Sequence, residues 1–315
     1  MRTRFPLLSA LLLTAIPTAA YAHPGLAPEP HDVWSAWALE PTVLVGTALA
    51  AVLYLRGLRA LWARAGVGHG VARWQARCYY AGLVALLVAL VSPLDAVADA
   101  LFSAHMVQHL ILIVVAAPLL AAGAPLLVYL WALPGGGRRT VRRAWSRARW
   151  VRRGTRVLLG TYSAWILHAA ALWAWHVPAL YDLAVANEWV HALEHTCFLV
   201  TGALFWWVVL PRGGALRRSH GAAMLYVFAF ALQATLLGAF LTLSSRVLYR
   251  AHLHTTAAWG LTPLQDQQVA GVVMWVPCGV VYLAAMIGLF LLWMREAERR
   301  VTRREAAAQL SVGPG

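Results

Sequence analysis

Long apolar runs, broken by short polar segments, set the pattern of this chain. At about 1.5 Å of rise per residue, about 20 apolar residues cross a hydrocarbon core of about 30 Å. Seven segments reach or approach that length, and they predict seven helices: Pro41 to Leu61, Cys78 to Leu94, His105 to Leu133, Val157 to His176, His191 to Leu210, Ala222 to Leu243 and Val269 to Met294. The runs are unbroken, whereas a strand of a membrane barrel alternates polar and apolar positions, so strands are excluded. The expected fold is an all-α polytopic membrane helical bundle of seven transmembrane helices.

Ahead of the bundle, Arg2 and Arg4 precede a short apolar stretch from Leu7 to Ile16 and the small-residue pattern Ala20-Tyr21-Ala22. This order reads as a cleaved signal peptide over residues 1–22, with His23 as the new N-terminus. Residues 23–40 then form an N-terminal segment outside the membrane, 41–294 the bundle and 295–315 a charged cytoplasmic tail.

Composition agrees with the pattern. The chain is 61% hydrophobic and 12% charged, outside the range of soluble domains. Orientation rests on arginine alone, since lysine is absent. Arg56, Arg59, Arg64, Arg73 and Arg77 lie between the first and second spans, and nine arginines from Arg138 to Arg156 lie between the third and fourth. Arg212, Arg217 and Arg218 follow the fifth span, and Arg295, Arg299, Arg300, Arg303 and Arg304 follow the seventh. The positive-inside rule makes these segments cytoplasmic and places the N-terminus outside a bacterial cytoplasmic (inner) membrane. A net charge of +14 confined to such loops points to anionic lipid headgroups and argues against nucleic acid. Three cysteines, Cys78, Cys197 and Cys278, imply no disulfide framework.

Counting spans brings five histidines to one face. His105 and His109 open the third span, His176 closes the fourth, and His191 and His195 open the fifth. Residues four apart on a helix share a face, so each pair can reach one ion. Imidazole is the commonest metal ligand, and polar clusters in a membrane are functional by default. Among the acidic residues on that side, Glu194 shares the face of His191, and Asp266 stands just before the last span. Met274 would add a thioether, and Cys278, four residues on, a thiol; soft donors of this kind select Cu(I), while imidazole alone also suits zinc or iron. His168 lies about 12 Å deeper than His176, as a relay or as a core residue. The segment Ser244 to Gln268, with Trp259, is a candidate docking surface.

Three chemistries follow from these residues. One is metal handling without catalysis. A second is haem ligation by histidines on facing helices, as in a membrane cytochrome or haem-modifying enzyme. A third is a zinc hydrolase, because His191-Ala192-Leu193-Glu194-His195 fits the H-x-x-E-H signature with Glu194 as general base.

The same residues carry a family resemblance. His105-Met106-Val107-Gln108-His109 running into Ala116-Ala117-Pro118-Leu119-Leu120, then Trp175-His176-Val177-Pro178, His191-Ala192-Leu193-Glu194-His195 before Phe205-Trp206-Trp207, and Asp266-Gln267-Gln268 leading to Met274-Trp275 resemble the seven-span CtaG-type assembly factors of caa-type cytochrome c oxidases. The resemblance implies an assembly role, with copper delivered to an oxidase subunit, and function at His105, His109, His176, His191, His195, Asp266 and Met274. Cys278 and the His252-Leu253-His254 pair lie outside the family pattern.

Overall fold

The computed structural model describes residues 28–210 and 220–311. The expected signal peptide and His23 lie outside the described residues, as do Arg212, Arg217 and Arg218. Among the described residues the regular structure is entirely helical.

Helix α1 (Pro41–Ala65) starts on a proline, whose fixed φ suits a first turn, and is followed by Gly66 at φ 89°. After α2 (Arg73–Leu90) the chain bends by 42° into the short α3 (Pro93–Ala100), where the Ser92 hydroxyl accepts from the Leu94 N–H. Helix α4 (Phe102–Ala122) follows one extended residue, Leu101. Among the described residues five helices are long and apolar enough to cross a membrane, α1 and α4 among them, and two bent pairs raise the number to as many as seven. The protein is a helical membrane bundle.

Helix α4 is its axis. Its most apolar window is 61% buried, against 17% in the first and 11% in the last candidate span. Midway, Ile111–Ala116 widens into a π-helix, two residues before Pro118. Proline lacks the N–H that an α-helix would direct to residue 114, and a local change of turn accommodates the loss. The Trp206 indole N–H donates to the Ile113 carbonyl inside this segment at 2.9 Å, which fixes α4 against the fifth span.

Where a single third span to Leu133 is expected, the helix ends at Ala122. Gly123 and Ala124 turn the chain, with Ala124 in the left-handed region at φ 50°, and α5 (Pro125–Ala132) packs against α1. The cause is a close approach that periodicity does not register. A Cβ on Gly57 of α1 would come within 2.0 Å of the Val128 carbonyl oxygen of α5, so the two backbones meet directly. The arginine-rich stretch expected as a loop forms two polar helices, α6 (Gly135–Arg147) and α7 (Arg149–Leu158), neither with a buried residue.

Helix α7 bends by 64° into α8 (Thr161–Trp175). The latter stops at His176 because Pro178 opens α9 (Pro178–Ala186) and disfavours helical backbone at Val177, which is extended. Helix α10 (Glu188–Val209) is capped by Asn187, whose side chain accepts from the Trp189 and Val190 N–H groups at 3.0 and 3.2 Å. Helices α11 (His220–Leu243) and α12 (Pro263–Ser311) complete the bundle and pack on each other. The main core lies between α4, α8, α10, α11 and α12 around Ile113, Ala164, Phe198, Phe205, Phe230 and Tyr282.

Candidate functional site

All five histidines converge at one end of this core. Within α4 the His105 and His109 rings are 4.4 Å apart between centroids, and within α10 those of His191 and His195 are 4.2 Å apart. Across the helices, His105 faces His191 at 5.0 Å and His109 faces His195 at 5.2 Å. His176, on the end of α8, stands farther off, 6.4 Å from His109.

The donor atoms sort into two overlapping groups. One nitrogen each from His105, His109 and His195 lie within 4.8 Å of one another, and so do single donors of His105, His191 and Glu194. His105 belongs to both. Its Nε2, without a hydrogen-bond partner among the described residues, faces the site. Glu194 is fully buried, with its carboxylate oxygens 3.6 Å from His105 Nε2 and 3.7 Å from His109 Nε2, beyond hydrogen-bond range. Among the described residues neither oxygen has a hydrogen-bond partner, nor do the Nε2 atoms of His105, His109, His191 and His195.

Such a collection is costly as bare protein. A buried polar atom without a partner costs about 1–3 kcal/mol, and a carboxylate more. A cation bound by imidazole nitrogens and neutralised by Glu194 satisfies these groups together, so the donor set fits a metal ion. It does not fit haem: the rings pack on one another, and the adjoining cavity is about 30 Å³.

Asp266 is held elsewhere. It accepts from the Phe102 N–H at 2.7 Å and from the Ser103 N–H and hydroxyl at 3.1 and 2.5 Å. The first turn of α4 presents backbone N–H groups with no helical partner, and Asp266 satisfies two of them from α12. It positions the helix that carries His105 and His109, and it lies outside both donor groups. Met274 likewise lies outside them and lines the cavity beneath, with Cys278 and His168.

Several contributors are not visible in the sequence. Gln108 donates to the Ala89 carbonyl at 2.8 Å and to Asp95 at 2.5 Å, locking α4 to α2 and α3. Tyr181, fully buried, packs its ring 5.1 Å from His105 and shares a 2.8 Å hydrogen bond with His252. Met106, which helical rotation turns away from the His105 face, meets His176 from α8 at 3.4 Å. The segment expected as a docking surface closes over this end: the Tyr249 hydroxyl donates to the His176 carbonyl, and the Arg250 and Ala251 N–H groups donate to Asp182.

Comparison with known proteins places these residues in a family. An uncharacterized protein of Mycobacterium bovis and one of Mycobacterium tuberculosis are each 28% identical over 277 residues, 87% of this chain and 41% of theirs. One of Mycobacterium leprae is 24% identical over 290 residues, 89% of this chain and 43% of its own. The chain therefore spans about two-fifths of the length of the curated relatives it matches. No solved structure matches. The family profile of the cytochrome c oxidase caa3 assembly factors (Caa3_CtaG) matches residues 52–296, which include all five histidines, Glu194, Asp266 and Met274, and the chain belongs to that family.

Proposed function

We propose that this membrane protein serves cytochrome c oxidase assembly by holding copper among His105, His109, His191, His195 and Glu194 and releasing it to an oxidase subunit. The observation that carries the reading is the pair of buried three-donor groups, whose facing atoms find no hydrogen bond among the described residues. Three donors leave a coordination position open, and an open position is what transfer by ligand exchange requires. His105, common to both groups, lets an ion pass from the His109/His195 side to the His191/Glu194 side without being freed. Imidazole and carboxylate also accept zinc, so copper rests on the family together with the soft donors below. Glu194, enclosed by imidazoles, is placed to neutralise a cation rather than to activate water, which sets this reading above a hydrolytic one.

In this reading the protein sits in the bacterial cytoplasmic membrane with the histidine end outward and α6 and α7 at the inner surface. Trp145 and Trp150, 48% and 69% exposed among the arginines, suit an interface with anionic headgroups.

The test is the double variant His105→Ala/His109→Ala in cells that depend on this chain for oxidase. Expected are normal insertion, loss of the metal held by these histidines from the purified protein and oxidase without its copper centre. Unchanged metal content together with full oxidase activity would refute the proposal.

A further inference from the structure

Beneath the histidines lies a second set of donors with different chemistry. The cavity there is about 30 Å³, and its polar and sulfur lining comes from Met106 and His109 of α4, His168 of α8, His176 at the end of α8, and Met274 and Cys278 of α12. That is room for an ion or a water and too little for an organic ligand.

Two hydrogen bonds fix which ring nitrogens face outward from their partners. The His176 Nδ1 lies 2.6 Å from the Leu172 carbonyl oxygen, and a carbonyl only accepts, so Nδ1 carries the proton. Nε2 of the neutral ring is then a lone-pair donor. It lies 3.4 Å from the Met106 sulfur, which also offers only lone pairs. Neither atom can give the other a proton. A cation between them satisfies both: metal bonds of about 2.0 Å to nitrogen and 2.3 Å to sulfur span this distance at an angle near tetrahedral.

The inner end of the cavity repeats the device. The Thr201 hydroxyl donates its one proton to the Cys197 carbonyl at 2.6 Å. Its oxygen, 2.9 Å from His168 Nδ1, must therefore accept from that nitrogen. His168 is fully buried, and its Nε2 is left as a lone pair without a partner among the described residues. A histidine whose far nitrogen donates to a fixed acceptor is the usual arrangement of a metal-ligating imidazole.

We propose that this cavity holds a soft-metal site for Cu(I) distinct from the groups above, its ligands His176 Nε2 and the sulfurs of Met106 and Met274, with Cys278 on its wall and His168 at its far end. Thioether and thiol donors select Cu(I), whereas the outer nitrogen and carboxylate groups also take harder divalent ions. The choice of cargo rests on the copper reading above; the site itself rests on the lone pairs facing one another.

The test uses the whole chain purified anaerobically in lipid nanodiscs, with Cu(I) read by X-ray absorption and Ag(I) as a redox-inert probe of soft sites. Wild-type protein is expected to show sulfur in the Cu(I) coordination shell. Met106→Leu/Met274→Leu, which conserves volume, should lose that sulfur and bind Ag(I) at least tenfold more weakly while Zn(II) binding is kept. His105→Ala/His109→Ala should lose Zn(II) and keep the sulfur signal; that result, even with normal oxidase, would leave the inner site standing while the outer reading falls. A wild-type Cu(I) spectrum of nitrogen and oxygen alone, or Ag(I) affinity unmoved by the methionine pair, overturns the proposal.

Discussion

Asp266→Asn separates two roles for one carboxylate. As a metal ligand, Asp266 would take one ion's donor away when neutralised and leave the fold alone. As the cap of α4 it would do the opposite. In the structure, one oxygen accepts from the Phe102 N–H and the other from both Ser103 groups. Asparagine keeps a single acceptor oxygen and turns an amide donor toward whichever group loses its partner. One charge-assisted hydrogen bond, worth about 1.5–3 kcal/mol, is lost, and a buried N–H is left bare at about 1–3 kcal/mol. The first turn of α4 should therefore be destabilised by roughly 2.5–6 kcal/mol. At about 2–4 °C per kcal/mol, thermal unfolding followed by tryptophan fluorescence in nanodiscs should fall by roughly 5–24 °C. Metal stoichiometry at low temperature should stay at the wild-type value. An unchanged melting temperature with one equivalent of metal missing would refute the capping role and restore Asp266 to the coordination shell.

Further outcomes follow from other contacts. Gly57→Val should prevent α1 from seating on α5, because even a Cβ comes within 2.0 Å of the Val128 carbonyl oxygen; a sharp fall in membrane-inserted protein is expected, and wild-type yield would contradict it. Burial first, and nearby His105 second, lower the His252 pKa from 6.5 to about 4 in the segment that covers the site. The unfolded segment takes up a proton first, so the stability His252 supports is complete above pH about 6.5 and falls as pH drops toward 4, by up to about 3 kcal/mol. Divided by the intrinsic exchange rate at each pH, the protection of amides over residues 248–256 should fall on acidification from pH 7.5 to 5, and His252→Phe should flatten that dependence.

Sequence alone determined the solvent of this fold and the address of its chemistry. Apolar run length fixes helices in lipid, since only internally hydrogen-bonded backbone can cross. The four-residue spacing of His105/His109 and of His191/His195, with three consecutive spans reversing direction, dictates that these imidazoles share one end. What each residue does there was decided by contacts far apart in the chain. Asp266 reads as a ligand because it stands at the right level, and only the packing of α12 on α4 brings it to Phe102 and Ser103, more than 160 residues away. Met106 reads as turned aside because rotation about one helix says nothing of the helix that arrives on its other face, where His176 meets it. The break at Ala124 and the closing of the segment 244–268 over Tyr181 have the same origin. Hydrophobic periodicity reports how a segment meets lipid or core, whereas backbone approaches and the partners of buried polar atoms exist only once neighbouring helices are in register.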